Sequence, residues 1–229
     1  MTVSAIIAAA GSASRMNGIN KQTALLGGIP VLARSMQLLQ SCDEVTEIIV
    51  SARKEDFQIF SGYAEQYGIT KFVCCAEGGD TRQQSVINAL KHISKETQLI
   101  AVHDGARPLA APKMISQCIK DASIFGASVP GVPVKDTLKT VSGDMITDTP
   151  DRSRLFIIQT PQIFRKKEYY AGVNFANEHG LDFTDDCQLV EAVGVKVNLT
   201  RSDYRNIKIT TPEDLAIAEA ILSAKEGKI

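Results

Sequence analysis

The chain has 229 residues, of which 44% are hydrophobic and 22% are charged. This length and composition indicate one globular domain over residues 1–229 and exclude a disordered chain. The formal net charge is only −1, so no strong field attracts the protein to nucleic acid or to an anionic membrane. We therefore expect neither of these among its partners.

Five cysteines are scattered along the chain, and none forms a Cys-x-x-Cys pair. This spacing argues against a structural zinc site, and the odd count is typical of reduced thiols in a reducing compartment. The apolar run at the N-terminus has no basic flank and is too short for a signal peptide or a membrane span. We expect a cytoplasmic location, or the plastid stroma if a transit peptide has been removed.

Short apolar runs alternate with amphipathic segments through the first 130 residues. The runs predict strands at 5–10, 47–52, 72–76, 99–103 and 127–130. The amphipathic segments predict helices at 30–40, 54–67, 83–93 and 112–125. This alternation is typical of βαβ units, so we predict the α/β class, with a mostly parallel sheet flanked by helices.

The βαβ rhythm breaks at about residues 131–156, which are rich in β-prone residues and contain the turn signal Ser-Gly-Asp at 142–144. We predict that this segment, the β-arm, is a hairpin that protrudes from the main sheet. One face of such a hairpin is apolar and must be covered. The sequence leaves open whether a partner subunit or the parent domain covers it.

The last third of the chain returns to mixed α/β patterning. It predicts helices at 166–178 and 185–192, the second with Thr184 as its N-cap, and strands at 196–199 and 206–209. Thr211 and Pro212 then form a typical helix start, with a hydroxyl cap followed by proline at the first position. We expect the final helix to begin there.

The loop after the first strand has the chemistry of a phosphate site. Gly11 and the small residues 12–14 let backbone N–H groups approach an anion closely, and Arg15 and Lys21 follow as two cations. The loop lacks the three glycines of a dinucleotide fingerprint and the Gly-Lys-Ser/Thr end of a Walker loop. The first absence disfavours an NAD-dependent dehydrogenase. An ordinary turn with two solvated cations stays open as an alternative.

Two more polar clusters follow predicted strands, at residues 79–85 and 104–107. Ligands of open parallel sheets bind outside the carboxyl ends of the strands, so three clusters at one edge indicate a site. Asp104 is a candidate Mg²⁺ ligand, because Mg²⁺ prefers one or two carboxylates together with phosphate oxygens. The alternative for Asp104 is an N-cap or a salt bridge with Arg107, and the alternative for residues 79–85 is a helix-capping turn.

Eight segments, in order over nearly the whole chain, carry a resemblance to one family. Together they resemble the 2-C-methyl-D-erythritol 4-phosphate cytidylyltransferases. The segments are Gly11-x3-Arg15-Met16 with Lys21-Gln22, Gly79-Asp80-x-Arg82-x2-Ser85, Val102-His103-Asp104-x-Ala106-Arg107-Pro108, Pro133-Val134-Lys135-Asp136-Thr137-x-Lys139, Thr160-Pro161-Gln162, Thr184-Asp185-Asp186 and Asn206-Ile207-Lys208.

The resemblance implies a Rossmann-like, GT-A-like nucleotidyltransferase fold and transfer of CMP from CTP to methylerythritol phosphate, with release of pyrophosphate. It also implies Mg²⁺ as cofactor, CTP as co-substrate, a polyol phosphate as the second small-molecule substrate, and a homodimer joined through the β-arm. A ribitol 5-phosphate cytidylyltransferase is the nearest alternative, although residues 135–139 and 159–162 favour methylerythritol. A non-catalytic nucleotide-binding protein on this fold is a second alternative.

The resemblance also assigns roles to individual residues. It assigns the role of catalytic cation to Arg15, Lys21 and Lys208. It places eight residues at the nucleotide, with Asp104 also as the metal ligand: Ala9, Ala10, Gly11, Gly79, Asp80, Ser85, Asp104 and Gly105. It places six residues around the polyol phosphate, some of them across the dimer: Arg107, Thr137, Arg152, Thr160, Thr184 and Lys208. Two departures from the family stand out: the gap from Arg15 to Lys21 is one residue short, and Gly105 replaces a common alanine.

The implied reaction needs fixed cations rather than a side-chain nucleophile. An oxygen of the polyol phosphate attacks the α-phosphorus of CTP, and negative charge gathers on the phosphorus oxygens and the departing pyrophosphate. No general base is needed, because the attacking phosphate is already ionised. The chain has only three histidines and no triad spacing, and we expect His103 to be structural.

Overall fold

The structure is a computed structural model that describes residues 1–11 and 20–225. The predictions for Arg15 and for the rest of residues 12–19 lie outside the described residues. Within them, no helix has both the length and the apolar content needed to cross a membrane.

The strands and helices alternate through most of the described chain. The strands are β1 (Val3–Ala8), β2 (Leu25–Leu26), β3 (Ile29–Pro30), β4 (Val45–Ala52), β5 (Phe72–Glu77), β6 (Leu99–Asp104), β7 (Ala127–Pro133), β8 (Thr140–Ser142), β9 (Met145–Asp148), β10 (Phe156–Ile158), β11 (Gln162–Arg165) and β12 (Asn198–Arg201). The α-helices are α1 (Val31–Gln40), α2 (Phe57–Gln66), α3 (Arg82–Leu90), α4 (Pro112–Phe125), α5 (Lys166–His179), α6 (Asp186–Glu191) and α7 (Pro212–Lys225).

Eight of the strands in the described residues form one sheet, which confirms the α/β prediction. Its order is β5-β4-β1-β6-β11-β7, and β10 and β12 also pair with β7. The four strands β5, β4, β1 and β6 are mutually parallel, whereas β11 is antiparallel to both of its neighbours. The register aligns Ala8 of β1 with Ser51 of β4 and with Asp104 of β6, so the carboxyl ends of these strands lie side by side.

Apolar side chains cover both faces of the sheet, as expected for buried parallel strands. On β1, Ala5 and Ile7 pack in one cluster with α1, α2 and α4, and Ile6 packs in a second cluster with α3, α5 and α6. A third cluster joins α7 to β2 and the start of α1. Each fully buried isoleucine or leucine contributes about 1.5–3 kcal/mol, so these layers hold the strand ends in place.

One strand prediction is wrong, and some of the observed strands were not predicted. Residues 206–209 form no strand, because their polar groups bind side chains: the Asn206 carbonyl accepts from Arg107, and Lys208 pairs with Asp104. The strand β11 has no counterpart among the predictions. Its sequence, Gln-Ile-Phe-Arg, has two apolar residues between two polar ones, which is neither an apolar run nor an alternating pattern.

The N-cap prediction for α6 is also wrong. Asp185, rather than Thr184, has the extended backbone of an N-cap, and its carboxylate accepts a hydrogen bond from the Gln188 N–H at 3.2 Å. A carboxylate suits this place because it also interacts favourably with the positive end of the helix dipole. Thr184 donates its hydroxyl hydrogen to the Gln188 side chain instead.

Other boundaries differ from the predictions by a few residues. The helix predicted at 83–93 ends at Leu90, and the one at 54–67 begins with a 3₁₀ turn before α2. The helix predicted at 112–125 has those bounds in the structure.

The β-arm forms the predicted hairpin, although its base differs from the prediction. Strand β7 continues to Pro133, and β8 and β9 then pair around Gly143, whose φ of +57° is in the left-handed region. The side chains of Val141, Met145 and Ile146 are 62%, 74% and 62% exposed. The parent domain therefore leaves the apolar residues of the hairpin uncovered.

Helices α5 and α6 cross at Gly172, where any side chain would overlap the Leu189 carbonyl. We expect Gly172→Ala to lower the free energy of unfolding by about 1–3 kcal/mol, because the helices must separate. In α2, Gly62 has open space around it, so Gly62→Ala should raise the free energy by about 0.5–1 kcal/mol through helix propensity alone. Urea unfolding followed by circular dichroism measures both changes, and equal shifts in one direction would contradict the close contact.

Candidate functional site

Two cavities meet at the carboxyl edge of the parallel strands. The larger cavity has a volume of about 430 Å³ and is bounded by the ends of β1 and β6, the start of α3 and the segment before α7. Its lining residues are Ala8, Ala10, Gly11, Lys21, Gln22, Gly79, Asp80, Thr81, Arg82, Ser85, Asp104, Ala106 and Lys208. The three clusters that the sequence places after strands therefore meet at one site.

The smaller cavity, of about 150 Å³, shares a wall with the larger one. Arg82, Asp104 and Lys208 line both cavities and so mark their junction. The other lining residues of the smaller cavity are Arg107, Ile158, Thr160, Gln162, Thr184 and Asp185. Each of these three charged side chains can therefore be reached from both cavities.

Asp104 is a buried carboxylate surrounded by cations. Its Oδ2 lies 2.8 Å from Lys208 Nζ and 3.5 Å from Arg107 Nε, and its Oδ1 lies 3.5 Å from Arg82 Nε. Burial opposes ionisation of Asp104, but the charges of Lys208, Arg82 and Arg107 outweigh it and hold the pKa of the carboxyl well below its ordinary value. Asp104 is therefore ionised at neutral pH.

The segment that carries Lys208 is tied to the site through Asn206. The Asn206 side-chain amide donates to the Thr160 carbonyl at 3.0 Å, and the Asn206 carbonyl accepts from Arg107 Nη1 at 2.7 Å. Asn206 is only 2% exposed. These bonds, rather than a strand, bring Lys208 to the junction.

His103 supports the site from behind. Its Nε2 lies 3.1 Å from the Arg107 carbonyl, which can only accept, so Nε2 carries the proton. Nδ1 then accepts from the Thr160 hydroxyl at 3.0 Å, and that hydroxyl accepts from the Asp104 N–H at 3.0 Å. This directed chain fixes the backbone of Asp104. His103 is fully buried and lines neither cavity, as expected for a structural residue.

The cluster at residues 79–85 combines a close backbone approach with a helix cap. The Thr81 hydroxyl accepts from the Gln84 N–H and caps α3. The Gly79 N–H donates to Ser85 Oγ at 3.0 Å, and the Ser85 hydroxyl donates to the Thr81 carbonyl at 2.8 Å. A side chain at Gly79 would lie 2.7 Å from Gln84 Cβ, so only glycine fits. The capping turn and the cavity wall are thus the same structure.

The cavities contain most of the residues that the sequence proposes. Ala10, Gly11, Lys21, Gly79, Asp80, Ser85, Asp104 and Lys208 line the larger cavity, and Arg107, Thr160 and Thr184 line the smaller one. Ala9 and Gly105 lie behind the wall, where the Ala9 N–H donates to the Ser51 carbonyl and the Gly105 N–H donates to the Ala8 carbonyl.

Thr137 and Arg152 are exposed on the β-arm and line neither cavity of their own chain. Arg152 donates from Nη1 to the Lys135 carbonyl at 2.9 Å. Their place at a polyol phosphate stays a prediction, which requires that the β-arm reaches another subunit.

Two charged residues of the site carry no role in the sequence prediction. Arg82 lines both cavities, and the nearly fully buried Asp186 lies 2.6 Å from Arg82 Nη1. Both stand in segments of the family resemblance. In the sequence, each residue stands near the start of a predicted helix that follows a polar cluster, and that position does not reveal that the two residues pair.

The donor set fits Mg²⁺ only together with phosphate oxygens. Asp104 and Asp80 are the carboxylates among the lining residues of the larger cavity. The described residues contain no group of three or more histidine, cysteine or acidic side chains placed to hold a metal. Mg²⁺ is commonly held by one or two carboxylates, substrate phosphates and water, and an ionised Asp104 meets that requirement.

Stability should depend on pH through His103. Burial lowers the pKa of His103 from 6.5 to about 4, although the charge of Asp104 opposes the shift. The unfolded chain therefore takes up a proton near pH 6.5 that the folded chain rejects until about pH 4, and folded stability is lost as the pH falls through this window.

Relative to His103→Asn, the parent should lose about 2 kcal/mol of unfolding free energy between pH 7 and pH 5, since each pH unit is worth about 1.4 kcal/mol. Urea titrations at both pH values measure this difference. The exposed His92→Asn is the control and should follow the parent. Parallel pH profiles for the parent and His103→Asn would show that His103 is not held neutral by folding.

Comparisons with known proteins give one consistent result. A model of the 2-C-methyl-D-erythritol 4-phosphate cytidylyltransferase family matches residues 3–224. The protein of that name from Caldanaerobacter subterraneus subsp. tengcongensis is 43% identical, with 97% of this chain and 99% of that protein covered. The one from Geobacillus thermodenitrificans is 40% identical, with 98% and 99% covered. The solved 4-diphosphocytidyl-2C-methyl-D-erythritol synthase of Anaerococcus prevotii superposes with a TM-score of 0.86 at 34% identity, with 96% of both chains covered.

Proposed function

Because this chain belongs to the 2-C-methyl-D-erythritol 4-phosphate cytidylyltransferase family, we propose that its two cavities hold the two substrates of a cytidylyl transfer. CMP passes from CTP to 2-C-methyl-D-erythritol 4-phosphate and pyrophosphate leaves, a step of isoprenoid biosynthesis. The larger cavity takes CTP, and the smaller one takes the polyol phosphate. The observation that carries the proposal is the shared wall of Arg82, Asp104 and Lys208, since the reacting phosphates must meet where the substrates meet.

The chemistry at the junction is an in-line displacement. An oxygen of the polyol phosphate forms a bond to the α-phosphorus of CTP while the bond from that phosphorus to the pyrophosphate oxygen breaks. The attacking oxygen is already ionised, so no side chain has to remove a proton. The residues orient two anions and stabilise the charge that gathers in the transition state.

Fixed cations supply that stabilisation. Lys208 Nζ lies 2.8 Å from Asp104 Oδ2, and Lys21 lines the larger cavity. Ion pairing to the buried Asp104 keeps Lys208 in one place, so little reorganisation is needed during the reaction. Arg15 joins Lys21 on the triphosphate by family resemblance. Gly79, Asp80 and Ser85, at the start of α3, contact the cytosine base.

Asp104 would hold Mg²⁺ in combination with the phosphates of CTP. The ion would supply further neutralisation of the triphosphate charge when it is bound. The surrounding cations keep the carboxyl group of Asp104 ionised, so it carries the negative charge that a metal ligand needs. Asp104 thus serves both the metal and the placement of Lys208.

The β-arm joins two chains in a homodimer and completes each site. Its exposed apolar side chains need a cover that the parent domain does not give, and an equivalent β-arm supplies one through a two-fold, self-complementary contact. Thr137 and Arg152 then reach the polyol phosphate of the partner. The smaller cavity of a single chain contains Thr160 and Thr184, as well as cations that match a phosphate.

Release of pyrophosphate tests the function directly. The parent should release it from CTP with methylerythritol phosphate and much more slowly with ribitol 5-phosphate, the substrate of the nearest alternative enzyme. EDTA should stop release, and added Mg²⁺ should restore it. If neither polyol phosphate leads to release of pyrophosphate, the non-catalytic alternative is favoured. If EDTA leaves the release unchanged, the reaction does not require Mg²⁺.

Mixed dimers test whether the β-arm completes a neighbouring site. Arg152→Ala and Lys21→Ala chains should each be nearly inactive, since loss of one stabilising group costs about 10²–10³-fold in rate. After subunit exchange, half of the dimers are mixed, and one of the two sites in each is intact. Mixing should therefore restore about a quarter of the parent activity. A monomer by sedimentation, or no recovery after verified exchange, would argue against shared sites.

A further inference from the structure

Arg82 occupies the junction of the two cavities and has no role in the reaction described so far. It is the first residue of α3, and its side chain is 29% exposed. Its Nη1 lies 2.6 Å from Asp186 Oδ2, whereas its Nε and Nη2 each lie 3.5 Å from Asp104 Oδ1. The two contacts with Asp104 are longer than good hydrogen bonds. Arg82 therefore has N–H groups at the junction that a phosphate oxygen can engage more closely.

Asp186 holds Arg82 by a chain of buried contacts. Asp186 is 1% exposed, and its Oδ1 accepts from the hydroxyl of the fully buried Tyr169 at 2.6 Å. Its backbone N–H donates to Gln162 Oε1 at 3.1 Å. Burial and the charge of Asp186 raise the pKa of Tyr169 well above its ordinary value, so the phenol remains a donor. Each polar group of Asp186 near the junction has a partner, and its position is fixed.

A purely structural role accounts poorly for this arrangement. A buried ion pair contributes little net stability, because the cost of desolvating both charges offsets their attraction. The buried Asp186 and Tyr169 hold an arginine whose other N–H groups face the junction rather than the core. Arginine is suited to phosphate because its planar fork gives two parallel hydrogen bonds.

We propose that Arg82 is a further catalytic residue that contacts the phosphate at the junction of the two cavities, and that Asp186 and Tyr169 are positioning residues that hold it there. The inference rests on the proposed function, which places the reacting phosphates at this junction. Arg82 donates hydrogen bonds and transfers no proton. It stabilises the charge on the phosphorus oxygens while the bond to pyrophosphate breaks.

Substitutions of Arg82 give the direct test. Arg82→Ala should lower kcat for pyrophosphate release by about 10²–10³-fold. Arg82→Lys should recover little, because one ammonium group cannot hold Asp186 and a phosphate together. Added ethylguanidinium should restore part of the activity of Arg82→Ala and none of that of Arg82→Lys.

Arg53→Ala is the matched control. Arg53 also pairs with a buried carboxylate, since its Nη2 lies 2.8 Å from Asp56 Oδ2, but it lines neither cavity. Its kcat should equal that of the parent. An equal loss of kcat in Arg53→Ala and Arg82→Ala would mean that any broken buried pair has this effect, and it would overturn the inference.

A double-mutant cycle tests the positioning role. Asp186→Asn should lower kcat by about 10–10²-fold, since a small misplacement of a catalytic group has an effect of that size. In an Arg82→Ala background, Asp186→Asn should add no further loss, because Asp186 acts through Arg82. Losses that multiply in the double variant would show an independent structural role. Urea unfolding checks each variant, and if Asp186→Asn does not fold, Tyr169→Phe takes its place in the cycle.

Calorimetric titration with CTP separates this inference from the proposed function. Arg82→Ala should bind CTP more weakly than the parent, and Arg53→Ala should bind it equally well. In one outcome, the parent releases no pyrophosphate and yet binds CTP with an affinity that depends on Arg82. This outcome would contradict the proposed function and support the contact between Arg82 and a phosphate. A parent that turns over while Arg82→Ala matches it in kcat and in CTP affinity would overturn the inference alone.

Discussion

The buried carboxylate of Asp104 is the constraint on which the site depends. An uncompensated charge in a protein interior costs several kcal/mol, so cations must be brought to it. Lys208, Arg82 and Arg107 come from three separate parts of the chain and meet at this one group. The fold that compensates the charge of Asp104 therefore also concentrates positive charge at the junction of the two cavities, where the proposed reaction between two anions would need it.

The network behind the cavities explains how these charges stay in place. Thr160 links the backbone of Asp104 to the ring of His103, and Asn206 ties the Lys208 segment to the Thr160 carbonyl. These buried hydrogen bonds hold the groups in fixed positions relative to one another, and fixed charges are what electrostatic stabilisation of a transition state requires. These contacts within the chain therefore organise the site.

Sequence patterns succeeded where periodicity is strong and failed where a tertiary contact replaces it. The helix at 112–125 and the strands of the parallel sheet follow from apolar spacing. Residues 206–209 have the composition of a strand, yet Asn206 and Lys208 use their polar groups for the site. Asp185, rather than Thr184, is the N-cap of α6. The sequence could not distinguish these two adjacent residues, because only the backbone angles show which of them caps the helix.

By itself, the sequence determined the α/β class, the three polar clusters after strands and the resemblance to one cytidylyltransferase family, because each depends on local composition, spacing or motif order. The tertiary structure alone decided that Ala9 and Gly105 lie behind the cavity wall, that Thr137 and Arg152 lie outside the cavities of their own chain, and that Arg82 pairs with Asp186. Arg82 and Asp186 stand 104 residues apart. No local pattern encodes such a pair, because the contact exists only when the packing of α5 against α6 places a buried carboxylate beside the start of α3.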